Sequence, residues 1–380
     1  MLKSLKIVLL SCGLFAGSAS AVITPNPTAP NIAAKSYILQ DFASGRIIAE
    51  HNSQQRLPPA SITKLMTAYV VSHELEQGNI TLADEVLISE KAWRMQGSRS
   101  FIEVNTRVPV EALLRGMIIQ SGNDAAVALA EYIAGSEDTF SQMMNQYAQQ
   151  LGMFNTNYQN ATGLPAPEHY TTAADIAILS AAIIRDFPEH YKWYAEKKYV
   201  YNNIAQHNRN KLLWRDSSVD GLKTGHTEEA GYCLAASAKR SGMRLISVVL
   251  GTRSVNARAQ ETQKLFNYGF RFFESHELYS VNDKVDDIKV WKGANEIISF
   301  GVAESLAISV PRGRYKDLVA TSNIQKPVIA PIMAGDTLGS IEIKLDGEVL
   351  STQSLVALND VAAGSWWRRL LDSILMMFWA

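Results

Sequence analysis

The hydrophobic period changes twice along this chain, and no other feature restricts the fold as strongly. The stretch "SYILQDFASGRIIAEHN", beginning at Ser36, alternates apolar and polar residues around an Ala-Ser-Gly turn, the pattern of two antiparallel strands. From there to about Arg185 the spacing becomes three and four, and "PVEALLRGMIIQS", "DAAVALAEYIAG" and "TAADIAILSAAIIRDF" each predict an amphipathic helix. After Asp220 the period returns to two in "GYCLAASAKR" and "RLISVVLGT", and a helix follows from about Arg258 to Phe273. Strands on both sides of a helical block suggest one α/β (α+β) domain whose sheet is assembled from distant parts of the chain. From about Ser275 the runs shorten. "SLAISVPRG", "DLVATSN", "PVIAPIMAGD" and "GSIEIKLDGEVL" are punctuated by Gly, Pro and Asp and predict a small all-β module to about Ala363.

The two ends carry addresses. "MLKSLKIVLLSCGLFAGSASA" has Lys3 and Lys6, an apolar core and an Ala19-Ser20-Ala21 cleavage site, so residues 1–21 are expected to be a secretory signal with the mature chain starting at Val22. Lipidation at Cys12 is the alternative; it would leave only about five apolar residues after Lys6, short for a signal core. After cleavage at Ala21, Cys233 is the one remaining cysteine and no internal disulfide can form. The core, drawn from a chain that is 47% hydrophobic, must then hold without a covalent staple. At the other end, "GSWWRRLLDSILMMFWA" (364–380) is helix-prone, with Arg368, Arg369, Asp372 and Ser373 in one narrow polar stripe. It is too short to span a bilayer, but Trp366, Trp367 and Trp379 suit a bilayer surface. A terminal helix docked on the protein's own core is the competing expectation. The expected division is therefore 1–21, 22–274, 275–363 and 364–380. With 36 basic and 37 acidic residues there is no overall positive field to attract nucleic acid.

Three short motifs carry candidate chemistry. In "LPPASITKLMTAYVV", Ser61 and Lys64 lie three apart at the start of a helix-like run, so the amine can reach the hydroxyl. Serine is a poor nucleophile until a neighbouring base takes its proton, and a lysine held neutral by burial or another cation can do so. About sixty residues on, "IIQSGNDAAVAL" places Ser121-Gly122-Asn123 at a helix start; about a hundred further, "VDGLKTGHTEEAGYCLAASA" places Lys223-Thr224-Gly225 at the entrance of a strand pair. Alone, each is ordinary cap or turn chemistry.

Together and in this order, Ser-x-x-Lys, Ser-x-Asn and Lys-Thr-Gly match the motif set of penicillin-binding proteins and serine β-lactamases. The longer stretches "VDGLKTGHTEEAGYCLAASAKRSGMRLISVVLG", "SGNDAAVALAEY", "FRFFES" and "VPRGRYKDL" resemble the low-molecular-mass penicillin-binding proteins that are D-alanyl-D-alanine carboxypeptidases, over nearly the whole mature chain. The resemblance implies a transpeptidase-like α/β domain followed by the β module and a terminal amphipathic helix. It further implies removal of the terminal D-alanine from peptidoglycan stem peptides through an acyl-enzyme, acylation by β-lactams, and a part in cell-wall maturation and cell shape. The implied site is at the outer face of the cytoplasmic membrane, in the periplasm, with no cofactor.

By the same resemblance, Ser61 attacks the carbonyl, Lys64 accepts its proton and Ser121 passes a proton to the departing D-alanine. Asn123 bonds the substrate amide or orients Lys64. The backbone N–H groups of Ser61 and His226 form the oxyanion hole, and Lys223, Thr224 and Arg258 meet the substrate carboxylate, with Gly225 between them. Gly122 departs from some related families at a position without side-chain chemistry. A Ser–His triad through His226 and a surface role for Arg258 at a helix start are the competing readings of those two residues. The seven histidines show no metal-ligand spacing. Two other functions compete. A β-lactamase needs a glutamate beside an asparagine for fast deacylation, and Glu168 in "PAPEHYTT" lacks the Glu-x-x-x-Asn pattern. A catalytically idle cell-wall binding protein would leave recognition to the β module.

Overall fold

The computed structural model describes residues 28–378; the expected signal segment, Cys12, the start at Val22, and Trp379 lie outside the described residues. The chain divides into two compact units, one of residues 28–271 and one that begins at Phe272.

In the first unit the distant strands meet as expected. Strands β1 (Ser36–Asp41), β2 (Ile47–His51), β3 (Val219–Thr227), β4 (Gly231–Arg240) and β5 (Met243–Thr252) form one antiparallel sheet in the order β2-β1-β5-β4-β3. β1 closes the sheet against β5, with Ser36 opposite Leu250 and Asp41 opposite Leu245. β1, β4 and β5 are buried along most of their length, on both faces of the sheet, whereas the edge strand β2 is largely exposed. Ile38, Ile246, Val248 and Leu250 join the core shared with the helical block. Leu39 and Leu245 take the opposite face, where Gly269 comes so near that a Cβ would lie 2.5 Å from Leu245 Cδ1.

The helical block comprises α1 (Lys64–Glu76), α2 (Val110–Ile119), α3 (Asn123–Ala134), α4 (Glu137–Gln150) and α5 (Ala173–Asp186). Helix α6 (Val255–Phe272) returns after β5. Caps fix their ends as sequence chemistry requires: the Thr172 hydroxyl accepts from the Asp175 N–H, and Gly135 ends α3 at φ +74°. α1 is different, being buried on every side from Lys64 to Ser72. A helix apolar all round belongs to the middle of a core, and that is where the lysine is carried.

The second unit is all-β until its last helix, in agreement with the sequence. Phe273–Tyr279 pairs with Leu306–Pro311, and a six-stranded sheet runs in the order Val319–Ile324, Thr337–Leu345, Glu348–Ala357, Ile297–Val302, Lys284–Trp291, Val328–Ile329. The final helix α7 spans Trp366–Met377. Its polar edge faces the unit: the Asp372 carboxylate, only 8% exposed, accepts the Lys292 N–H, and Arg368 pairs with Glu296 at 3.1 Å. The apolar side chains of Leu370, Leu371, Ile374, Leu375, Met377 and Phe378 remain exposed. The helix thus meets its unit through its polar edge and not through its apolar arc. Among the described residues no helix is long and apolar enough to cross a membrane.

Candidate active site

The nucleophile turn comes first. Pro58 and Pro59 cannot donate backbone hydrogen bonds, and the chain enters α1 through a 3₁₀ turn, Ala60–Thr63. Residues three apart eclipse in 3₁₀ geometry, so Lys64 stands directly over Ser61 and its Nζ lies 3.1 Å from Ser61 Oγ. Lys64 Nζ also donates to Asn123 Oδ1 at 2.7 Å and to the Thr162 carbonyl at 2.6 Å. An ammonium has three protons, and here each has an acceptor. Losing the one aimed at Ser61 leaves a lone pair pointing at the hydroxyl it would deprotonate. Burial opposes the charge: Lys64 is 1% exposed, and desolvation, aided by the Arg209 guanidinium and opposed by Asp124 and Glu137, brings its pKa down to about 7.

The second motif turns sharply. Ser121 adopts φ +70°, unusual for a residue with a side chain, and hands the chain to α3 at Asn123. Gly122 has no room for a methyl group, since a Cβ would lie 2.0 Å from Ser100 Oγ. The Asp124 carboxylate, fully buried, accepts the backbone N–H groups of Ser100 (2.7 Å), Phe101 (2.9 Å) and Ala125 (2.9 Å) and so pins the Gln96–Phe101 loop behind the site. Asn123 completes that anchor, donating from its backbone to Ser98 O at 2.7 Å and from Nδ2 to Gln96 O. Its Oδ1 accepts from Lys64 Nζ, so Asn123 holds that amine in place.

The third motif faces the other two from the edge strand β3. Gly225 passes so close to the nucleophile turn that a Cβ would sit 3.0 Å from Pro59 O. Lys223, also buried, donates to Ser121 Oγ at 2.8 Å and to Thr224 O at 3.1 Å. Its pKa is driven well down by desolvation and by the charges of Lys64, Arg209 and Arg258. The two amines therefore divide the hydroxyls, Lys64 on Ser61 and Lys223 on Ser121. Arg258 is 6% exposed and donates to Gly225 O at 3.0 Å and Cys233 O at 3.4 Å, which removes the surface reading of that residue. His226 is exposed, its ring stacked on Tyr232 at 3.9 Å, and among the described residues no carboxylate hydrogen-bonds it as a triad would require.

These groups open on one cavity of about 480 Å³, lined among others by Ser61, Ser121, Asn123, Thr224, His226 and Arg258. Among the described residues no aspartate or glutamate lines it, while Arg209 and Arg258 do, so it presents a positive field suited to an anionic group. Glu168 lines a neighbouring groove of about 550 Å³ instead. Two contributors escaped the sequence reading. Arg209, exposed at the cavity rim and donating to Gln120 O at 3.1 Å, lies in a stretch without hydrophobic period and carried no motif signal. The turn Asn160–Leu164 supplies the carbonyl that holds Lys64. Asn160 Oδ1 accepts from Thr162 N, Thr162 Oγ1 and Gly163 N at 3.1, 2.9 and 2.7 Å, and a Cβ at Gly163, which has φ +83°, would lie 1.8 Å from Ala60 O. Its only sequence signal was Asn-Ala-Thr-Gly, an ordinary turn.

Comparison with known proteins agrees with this arrangement. A family model described as D-alanyl-D-alanine carboxypeptidase, peptidase S11, matches residues 23–254, and one described as the C-terminal domain of penicillin-binding protein 5 matches 273–363. The chain is 40% identical to D-alanyl-D-alanine carboxypeptidase DacA of Escherichia coli (strain K12), over 100% of this chain and 97% of the relative. Its structure is similar to that of penicillin binding protein 5 from Haemophilus influenzae, with a TM-score of 0.85 at 42% identity, covering 88% of this chain and 99% of the other. It is also similar to penicillin-binding protein D2 from Listeria monocytogenes in the ampicillin-bound form, with a TM-score of 0.59 at 30% identity over 63% of this chain and 100% of that one. The resemblance drawn from the three motifs is thus borne out by matches spanning both units: this chain belongs to the peptidase S11 family of D-alanyl-D-alanine carboxypeptidases.

Proposed function

We propose that the protein is a serine D-alanyl-D-alanine carboxypeptidase acting on peptidoglycan stem peptides. Ser61 Oγ attacks the carbonyl between the two D-alanines while its proton passes to neutral Lys64. The backbone N–H groups of Ser61 and His226 receive the developing oxyanion. The C–N bond breaks as the proton taken up by Lys64 is passed on through Ser121 to the departing amine, which returns Lys64 to its neutral form and leaves Ser121 a hydroxyl. Water then hydrolyses the Ser61 ester. Lys223, Thr224, Arg258 and Arg209 meet the terminal carboxylate, and Gly225 gives β3 its close approach to the nucleophile turn. The observation that carries this reading is a buried lysine with a pKa near neutrality, 3.1 Å from the serine. A β-lactam presents the same kind of acyl group, and ampicillin occupies a solved relative. The test is mass spectrometry of the penicillin-treated protein: one adduct is expected on the peptide containing Ser61, and stoichiometric labelling of Ser61→Ala would overturn the assignment.

The same reading takes 22–274 as the catalytic part, 275–363 as a β domain and 364–380 as a surface anchor on the outer face of the cytoplasmic membrane. Support for the anchor is the orientation of α7, polar edge inward and apolar side chains exposed. Each large apolar side chain entering lipid is worth about 1.5–3 kcal/mol. Arg368 is committed to Glu296, which leaves Arg369 for anionic headgroups. A chain ending at Ala363 is expected in the soluble periplasmic fraction with its peptidase activity intact; retention on membranes would move the anchor elsewhere.

A further inference from the structure

The turn that holds Lys64 is itself held from behind by a buried carboxylate. Glu137, in the first turn of α4, has its Oε1 3.2 Å from the Ala161 N–H, while Oε2 pairs with Lys91 Nζ at 3.0 Å. The next groups along the turn are also committed: Ala161 O accepts from the Thr67 hydroxyl at 2.7 Å, and Thr162 O accepts from Lys64 at 2.6 Å. One peptide's N–H therefore rests on Glu137 and the following carbonyls on α1. The side chain is 11% exposed, so its charge acts through protein rather than through water. Lys91, by contrast, is 53% exposed and screens only part of that charge.

We infer that Glu137 is a positioning residue for the general base, fixing the Ala161–Thr162 turn whose carbonyl orients Lys64 and setting a buried negative charge behind that turn. The inference rests on Lys64 being the base of the proposed reaction. The charged groups that bear on Lys64 are Arg209 from the cavity side and Asp124 and Glu137 from the helical block; Lys223, the other buried amine, is itself driven toward its neutral form by burial and by Lys64. Burial and then the Arg209 guanidinium push Lys64 toward its neutral form; the two carboxylates oppose them. Asp124 spends its oxygens on three backbone N–H groups of another loop and one of its own helix. Glu137 is the carboxylate that touches the Lys64 turn.

Because the reactive form of Lys64 is neutral, acylation rises as pH passes its pKa, and moving that pKa moves the acid limb. Glu137→Gln keeps an acceptor for the Ala161 N–H and removes only the charge, so the limb should shift to lower pH, by about half a unit to one unit. Lys91→Gln exposes the carboxylate and should shift it to higher pH by less. Opposite signs from the two ends of one ion pair are what a purely structural role would not produce. The experiment is the second-order rate of penicillin acylation of the full chain from pH 5 to 9, for the wild type and both variants. Glu137→Ala, which also loses the hydrogen bond, should lower the high-pH plateau further than Glu137→Gln. A wild type that is not acylated overturns the proposed function itself. A wild type with a normal acid limb that neither variant moves, or that both move in the same direction, overturns this inference alone.

Discussion

Arg209→Gln is the substitution that most directly tests whether the cavity's positive field does chemistry. The guanidinium lies at the rim, lowers the pKa of both buried amines, and is within the lining that would face a substrate carboxylate. Two losses should follow. A charged hydrogen bond to substrate is worth about 1.5–3 kcal/mol, and because Arg209 is exposed the lower end applies, about tenfold in kcat/KM. Removing a cation also raises the Lys64 pKa from about 7, so the neutral fraction at pH 7 falls. A screened rise of about half a unit takes it from about one-half to about one-quarter, a further twofold. The sign is fixed by the charge: the base form exists above the pKa, so raising that pKa costs activity at neutral pH and nothing well above it. Steady-state hydrolysis of a D-Ala-D-Ala peptide should therefore show a deficit of about twentyfold at pH 7 narrowing to about tenfold at pH 9. Arg209→Lys should restore the limb better than it restores the binding, since an ammonium keeps the charge but not the fork. A ratio identical at both pH values would refute the electrostatic half of the reasoning. A deficit below twofold at both would refute the carboxylate half.

Three further outcomes are expected. Gly163→Ala should abolish acylation, because φ +83° disfavours a side chain and the new Cβ would overlap Ala60 O at 1.8 Å; penicillin labelling at the wild-type rate would show that the turn can move aside. Asp124→Ala strands buried N–H groups of Ser100 and Phe101 and should destabilise the protein by about 3 kcal/mol or more, read as a lower urea midpoint with unchanged slope. His169, buried against Thr63 Oγ1 at 2.9 Å, has its pKa lowered to about 4 by desolvation. The unfolded histidine binds a proton below about 6.5 while the folded one resists it, so stability should fall as pH drops from there toward 4, by up to about 3 kcal/mol, and that slope should flatten in His169→Gln.

The amino-acid sequence was enough to place the strand pair at the start, the helical middle, the strands after Asp220 and the β module. In each case the hydrophobic period reports burial directly: a helix core face repeats at three to four, a half-buried strand at two. It also supplied the three motifs, because Ser61 and Lys64 meet through local helix geometry that needs no tertiary information. Where segments far apart in sequence converge is visible only in the folded chain. The Thr162 carbonyl reaches Lys64 across 98 positions, and Arg209 and Glu137 bear on the same amine from segments with no motif of their own. Gly122 looked chemically silent until Ser100, 22 positions earlier, was seen to occupy the space of its missing Cβ. The orientation of α7 was undecided for the same reason. Its apolar arc is visible in the residues, but whether that arc faces protein or solvent depends on Lys292 and Glu296, which meet the polar edge only when the chain is folded. Periodicity records how much each residue is buried; it carries no information on which distant group buries it, and the pKa of Lys64 is set by those groups.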